Sequence, residues 1–173
     1  FTMQKVSLFK FEEDKLDELI NKGFHEIGLD YALRQAKTVC IKPNLVTDIE
    51  QYIKNGANTD IRLIESVLKY LSNYNIKVIL GESDTGTTLK GRKLERALKI
   101  MGVYKLKERY KFDIVNFSKE PLAEVSIPRG SFLKKIEIAK ILRDIDIIIN
   151  LPKLKTHKYS TITCALKNMF GAI

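Results

Sequence analysis

A doubly wound α/β domain, with a mainly parallel sheet and helices on both faces (Rossmann-like), is the fold class this sequence predicts. Short β-branched runs alternate with stretches of helical periodicity from one end to the other. No repeat, linker or low-complexity tract interrupts that alternation, and 173 residues suffice for one domain with a real core. The order βαβα implies parallel strands joined by right-handed crossovers.

Residues 4–9 read as a first strand. Leu16, Leu19, Ile20, Gly23, Phe24 and Ile27 then recur at helical spacing and predict one buried stripe. Residues 38–41 form a short strand closed by Pro43, which cannot continue a central ladder. A loop extends to Thr59 and Asp60, either of which can accept hydrogen bonds from free N–H groups and start a helix faced by Ile61, Ile64, Val67, Leu68 and Leu71. Residues 77–80 make the next strand, ended by Gly81. Leu94, Ala97, Leu98 and Met101 predict a third helix reaching Gly102, with a further helical piece over 104–111 and a strand over 112–117.

Pro128, Arg129 and Gly130 predict a turn within 124–137, which reads as a hairpin inserted at the sheet edge. A short helix over 138–143 follows, then Ile147, Ile148 and Ile149, a strand buried on both faces by composition. Beyond Pro152 comes a polar loop. Ile162, Ala165, Leu166, Met169 and Phe170 mark a last helix, capped by Ser160 or Thr161 and ending at Gly171.

Lys and Arg number 30 against 21 Asp and Glu, a net charge of +9 that suits acidic partners: nucleic acid, a phosphorylated metabolite or a carboxylate. The basic residues are scattered and mostly lysine, as on solvated helix faces, so nucleic-acid binding is not the expected main role. No apolar run approaches the ~18–20 residues of a membrane-spanning helix. The N-terminus lacks an apolar signal core, Met3 is the expected native start, and Cys40 and Cys164 form no CxxC pair; a cytoplasmic protein with reduced thiols is expected.

In an open parallel sheet, ligands bind outside the carboxyl ends of the strands. Three loops follow proposed strands: 42–48, 81–88 and 152–158, and all are dense in functional groups. In the third, Lys153, Lys155, His157 and Lys158 precede a helix, which suggests an anion site with His157 available for proton transfer. The competing reading is a solvated basic loop. In the second, Glu82 and Asp84 could hold a divalent cation or accept a ribose hydroxyl while Gly81 and Gly86 admit a ligand to the backbone, or the loop is a turn and cap. Lys42 and Asn44 flank Pro43; Lys42 is either paired or ligand-facing, or it covers an exposed strand end. GxGxxG and GK[ST] are absent. Cys40 packs as a small hydrophobe, His25 lies at the surface, and the basic and aromatic run Tyr104 to Lys111 reads as a solvated helix.

The segments Ile41-Lys42-Pro43-Asn44-Leu45-Val46, Gly81-Glu82-Ser83, Asn150-Leu151-Pro152-Lys153-Leu154-Lys155-Thr156-His157 and Thr163-Cys164-Ala165-Leu166-Lys167-Asn168-Met169-Phe170-Gly171 resemble the domain of unknown function 362 family. The resemblance implies one single α/β domain over 1–173 that is the N-terminal part of a longer family domain. Some members carry ferredoxin-type iron–sulfur modules; no residue of this chain inherits that role. The last motif is also distantly similar to the lactate racemase family, which implies that Lys155, His157, Lys167 and Met169 lie near a nickel-pincer nucleotide pocket, with no metal ligand assigned here.

The expectation is part of an enzyme that binds an anionic small molecule or nucleotide-like cofactor at the carboxyl edge. Lys42, Lys153 and Lys155 neutralise the anion, Asn44 orients it, Gly81, Glu82, Asp84, Lys167 and Asn168 complete the binding set, and His157 with Lys155 does chemistry. The alternatives are a basic nucleic-acid module, or a scaffold for a ferredoxin-like partner.

Overall fold

The computed structural model describes residues 5–84, 93–157 and 160–173; Gln4, Thr85, Gly86, Thr87, Thr88 and Lys158 therefore lie outside the described residues. Its centre is a parallel sheet of β1 (Thr38–Pro43), β2 (Lys77–Glu82), β3 (Asp113–Asn116) and β6 (Ile147–Leu151), in the order β3-β2-β1-β6. Cys40 stands opposite Ile79 on one side and Ile148 on the other, which fixes the register of the central strand. The expected doubly wound α/β class is the observed one.

Side chains alternate across a strand, so β1 and β2 feed two cores. Val39, Ile41, Val78 and Leu80 join Ile64, Val67, Leu68 and Leu71 of α4 (Ile61–Leu71), Leu94 and Leu98 of α5 (Lys93–Met101), and Val103 and Leu106 of α6 (Val103–Leu106). Burying each large aliphatic side chain stabilises the fold by roughly 1.5–3 kcal/mol. Cys40 and Ile79 face the other way, onto Phe117, Ala139, Leu142 and Ala172. Asp60 caps α4 as expected, accepting the Arg62 N–H at 2.9 Å.

Several elements differ from expectation, each for a physical reason. Residues 5–9 form no strand and pair with no sheet edge; Val6 and Leu8 are 91% and 95% exposed. The first helical stripe forms α1 (Leu16–Glu26) but holds no fully buried residue, and Gly28, whose φ of 76° lies in the left-handed region, separates it from a second helix, α2 (Leu29–Gln35). The loop before Asp60 contains α3 (Glu50–Lys54). The piece predicted over 104–111 contracts to α6, in which only a single turn is helical.

The hairpin β4 (Leu122–Ser126) and β5 (Lys135–Ala139) pairs with itself as a separate two-stranded sheet instead of extending the central one, and its second strand shortens the next helix to α7 (Lys140–Arg143). β6 is an edge strand, so Ile148 is exposed and the strand is not buried on both faces. The polar loop after Pro152 holds a small antiparallel hairpin, β7 (Lys155–His157) and β8 (Thr161–Thr163), followed by α8 (Ala165–Met169). The stripe read as one last helix thus spans a strand and a five-residue helix: Leu166 and Phe170 are exposed while Asn168 and Ala172 are buried. Cys164, not Ser160 or Thr161, precedes that helix, and it provides no side-chain cap. Among the described residues no helix is long and apolar enough to cross a membrane.

Gly81 does not end β2. It continues the strand, and a Cβ there would lie 2.3 Å from the Phe117 ring. Gly81→Ala should therefore destabilise the fold by about 1–3 kcal/mol through overpacking, read as a lower urea midpoint at unchanged slope; an unchanged midpoint would contradict this packing.

Candidate functional site

At the carboxyl edge of the sheet lies a cleft of about 420 Å³. Asn44, Leu45 and Val46 line it after β1, Glu82, Ser83 and Asp84 at the end of β2, and Ser118 beyond β3. Lys155, His157, Thr163, Lys167, Asn168, Phe170 and Gly171 line it from the chain after β6. The three loops singled out in the sequence contribute to one cavity, as parallel strands require.

Beneath it is a buried ion pair. The alternation that turns Cys40 onto the second face turns Lys42 there too, and its ammonium is 1% exposed. Lys42 Nζ donates to Glu82 Oε2 at 2.5 Å and to the Pro43 carbonyl at 3.2 Å. Glu82 Oε1 accepts the Ser83 N–H at 2.9 Å, and the Leu45 N–H also reaches this carboxylate. Burial pushes the Glu82 carboxyl up and the Lys42 ammonium down, while their mutual attraction opposes both shifts. Gly171 closes over the pair: a Cβ there would lie 2.5 Å from Glu82 Oε1, and its carbonyl accepts the Ser83 hydroxyl. Lys42 is thus paired with Glu82 beneath the cleft, and Gly81 packs against Phe117.

A set of amides and hydroxyls ties the strand ends together. Asn168 Nδ2 donates to Asn150 Oδ1 at 2.6 Å and to the Lys42 carbonyl at 3.1 Å, bridging β6 and β1. The Thr59 hydroxyl accepts the Asn44 N–H at 2.8 Å and donates to the Leu151 carbonyl at 2.7 Å. Asn58 Oδ1 accepts the Val46 N–H at 2.9 Å, and Asn58 Nδ2 donates to the Thr47 carbonyl at 2.9 Å. Asn58 escaped the sequence reading, and Thr59 entered it only as a candidate helix cap. Their signal was two polar residues directly before a helix cap, which reads as an ordinary loop.

Lys155 is half-buried. Its Nζ donates to the Ala57 carbonyl at 2.7 Å and to Asn44 Oδ1 at 3.3 Å. Burial, and then the charges of Lys153 and Lys167, hold its pKa below the ordinary lysine range. Lys167 Nζ stands 5.3 Å from the centre of the Phe170 ring. Lys153 does not line the cleft; its ammonium lies beside Gly56, and its charge helps to hold the Asp60 carboxyl low. Among the described residues none of these three lysines is ion-paired.

His157 Nδ1 accepts the Ser160 N–H at 3.1 Å. Asp84 serves as turn and cap: Oδ1 accepts the Leu94 N–H at 3.1 Å and Oδ2 accepts from Asn116 Nδ2 at 3.0 Å. Among the described residues no three His, Cys, Asp or Glu side chains gather as a metal shell, and the two cysteines are fewer than an iron–sulfur cluster normally requires. Of the residues implied for a nickel-pincer pocket, Lys155, His157 and Lys167 line the cleft, whereas Met169 packs into the second core. Thr163 and Ser118 also line the cleft and were not foreseen. Thr163 is 4% exposed, and its hydroxyl has no hydrogen-bond partner among the described residues.

A doubly wound sheet with its polar cleft at the carboxyl edge defines the class of protein. Residues 39–173 match the family described as Domain of unknown function (DUF362), and the chain belongs to that family. It is also similar to a thylakoid-associated protein of Synechocystis sp., at 27% identity over 146 residues, which cover 84% of this chain and 42% of the relative. The chain thus spans less than half the length of that relative. No solved structure matches it.

Removing one partner of a buried ion pair strands the other charge. Lys42→Met should cost about 3–5 kcal/mol in chemical denaturation, and Lys42→Met with Glu82→Leu should recover most of that loss. Independent, additive losses would show that the two side chains do not act as a pair.

Proposed function

We propose that this chain forms part of an enzyme that binds an anionic small molecule, or the anionic group of a nucleotide-like cofactor, in the cleft at the sheet's carboxyl edge. The observation that carries this reading is the set of unpaired positive charges there. Lys155 and Lys167 both line the cleft and form no ion pair among the described residues, and Lys153, whose charge also acts on Asp60, stands close enough to Lys155 to disfavour its charge. A phosphate or carboxylate would relieve that repulsion and replace the water removed from Lys155 by burial. The buried Thr163 hydroxyl gives the cleft a donor with no acceptor among the described residues. His157 supplies a proton-transfer group on the same wall.

Glu82 is committed to Lys42, so its role is to hold the loop ends in place for the ligand. Asp84 similarly positions Ser118, whose hydroxyl accepts the Asp84 N–H at 2.9 Å. The +9 charge supports a second reading, binding of a polyanion such as nucleic acid, which differs in its steep salt dependence.

Inorganic phosphate, nucleotides, sugar phosphates and carboxylic acids, each at ~100 times its dissociation constant, should stabilise the protein by about 2.7 kcal/mol if they fill the cleft, a thermal shift of roughly 5–10 °C. The shift should vanish in Lys155→Ala/Lys167→Ala. Affinity should fall as pH rises through the lowered Lys155 pKa, because the ammonium form attracts the anion and the amine does not. No shift with any of these anions, or an equal shift in the double variant, would overturn the reading.

A further inference from the structure

Lys155 differs in its setting from the other described lysines at this edge. Lys42 is locked to Glu82, Lys153 lies outside the cleft beside Gly56, and Lys167 is exposed over Phe170. Among the described lysines Lys155 alone is half-buried, lines the cleft, and is held by two neutral acceptors, the Ala57 carbonyl and Asn44 Oδ1. Those acceptors use two of its N–H bonds. The third tetrahedral position is an N–H in the ammonium form and a lone pair in the amine form, so both hydrogen bonds survive deprotonation. A lysine placed in this way keeps its nitrogen fixed in space when it becomes a nucleophile.

We propose that Lys155 is a catalytic nucleophile that forms a Schiff base with a small oxo-acid, an aldehyde or ketone bearing a carboxylate, whose anionic group is held by Lys167. The proposal rests on the reading of the cleft as an anion site and names its substrate class. Burial and the nearby charges of Lys153 and Lys167 enlarge the amine fraction of Lys155 at neutral pH relative to an exposed lysine, a known way of activating lysine toward carbonyls.

The step balances without a redox partner. The amine lone pair forms the C–N bond as the carbonyl π pair moves onto oxygen. That oxygen takes one proton from the nitrogen and one from His157 or solvent and leaves as water, giving a protonated imine. The cation so formed withdraws electrons from the neighbouring carbon, which is what aldol cleavage, decarboxylation or proton exchange at that carbon requires. The buried Thr163 hydroxyl is a donor available to the substrate's oxygen.

The test is borohydride trapping of the 173-residue chain with pyruvate, followed by peptide mapping. The expected result is a reduced adduct on Lys155 several-fold above any other lysine, because its nitrogen is fixed in the cleft and burial enlarges its amine fraction. Labelling should be absent at residue 155 in Lys155→Arg, several-fold weaker in Lys167→Gln, and reduced by inorganic phosphate. Label spread over the exposed lysines, or no adduct at all, overturns the proposal. The wild-type map decides this even if Lys155→Arg does not fold. Phosphate that stabilises the protein without selective labelling overturns the Schiff base and leaves the anion reading standing; no stabilisation and no labelling overturns both.

Discussion

Lys42 and Glu82 carry opposite charges at the ends of neighbouring strands, and the carboxyl edge can be dry only if they are buried together. Each ion alone would cost several kcal/mol to desolvate, whereas the pair, with the Pro43 carbonyl and the Ser83 N–H around it, satisfies both. A well-packed apolar pair at the same place is often equally stable or more stable, so stability alone does not account for these charges. What they do supply is a fixed anchor: Glu82 holds the start of the loop after β2, and Gly171 can close the cleft floor because no side chain intervenes.

The strand order gives this anchor its place. The chain adds β2 and β3 on one side of β1 and later returns to add β6 on the other, so the loops after β1 and β6 leave the sheet in different directions. A crevice opens at such a reversal in doubly wound proteins. Here Asn168, Asn150 and Thr59 span it with hydrogen bonds, and the lysines after β6 stand beside the loop after β1. The polar residues around the cleft thus divide into those that build it, chiefly Lys42, Glu82, Asp84, Asn58 and Thr59, and those with no ion-pair or side-chain hydroxyl partner among the described residues, chiefly Lys155, Lys167 and Thr163.

Residue type was a good guide to position along the chain and a poor guide to partnership. Lys42 directly after a β-branched run signalled an unusual environment, yet whether it met a ligand or a carboxylate depended on Glu82, forty residues away. Asp84 in a Gly and Thr-rich loop offered a cation ligand and a helix cap equally well, and the Leu94 N–H and Asn116 amide engage it as a cap. The last apolar stripe misled for a related reason: periodicity does not register that a hairpin can interrupt a helix, so Ile162 and Leu166 were assigned to one face and lie in different elements.

The sequence by itself determined the fold class, the central strands and the capped α4 helix, because alternating apolar periods and local capping act over a few residues. It also determined that functional groups gather in three loops, since parallel connectivity brings strand ends to one edge. Tertiary structure alone decided which charges cancel, which hydroxyls lack a partner among the described residues, and that β6 is an edge of the sheet they form. Those outcomes depend on distances between segments forty to more than one hundred residues apart, and ion pairing, burial and strand neighbours are properties of such distances rather than of local pattern.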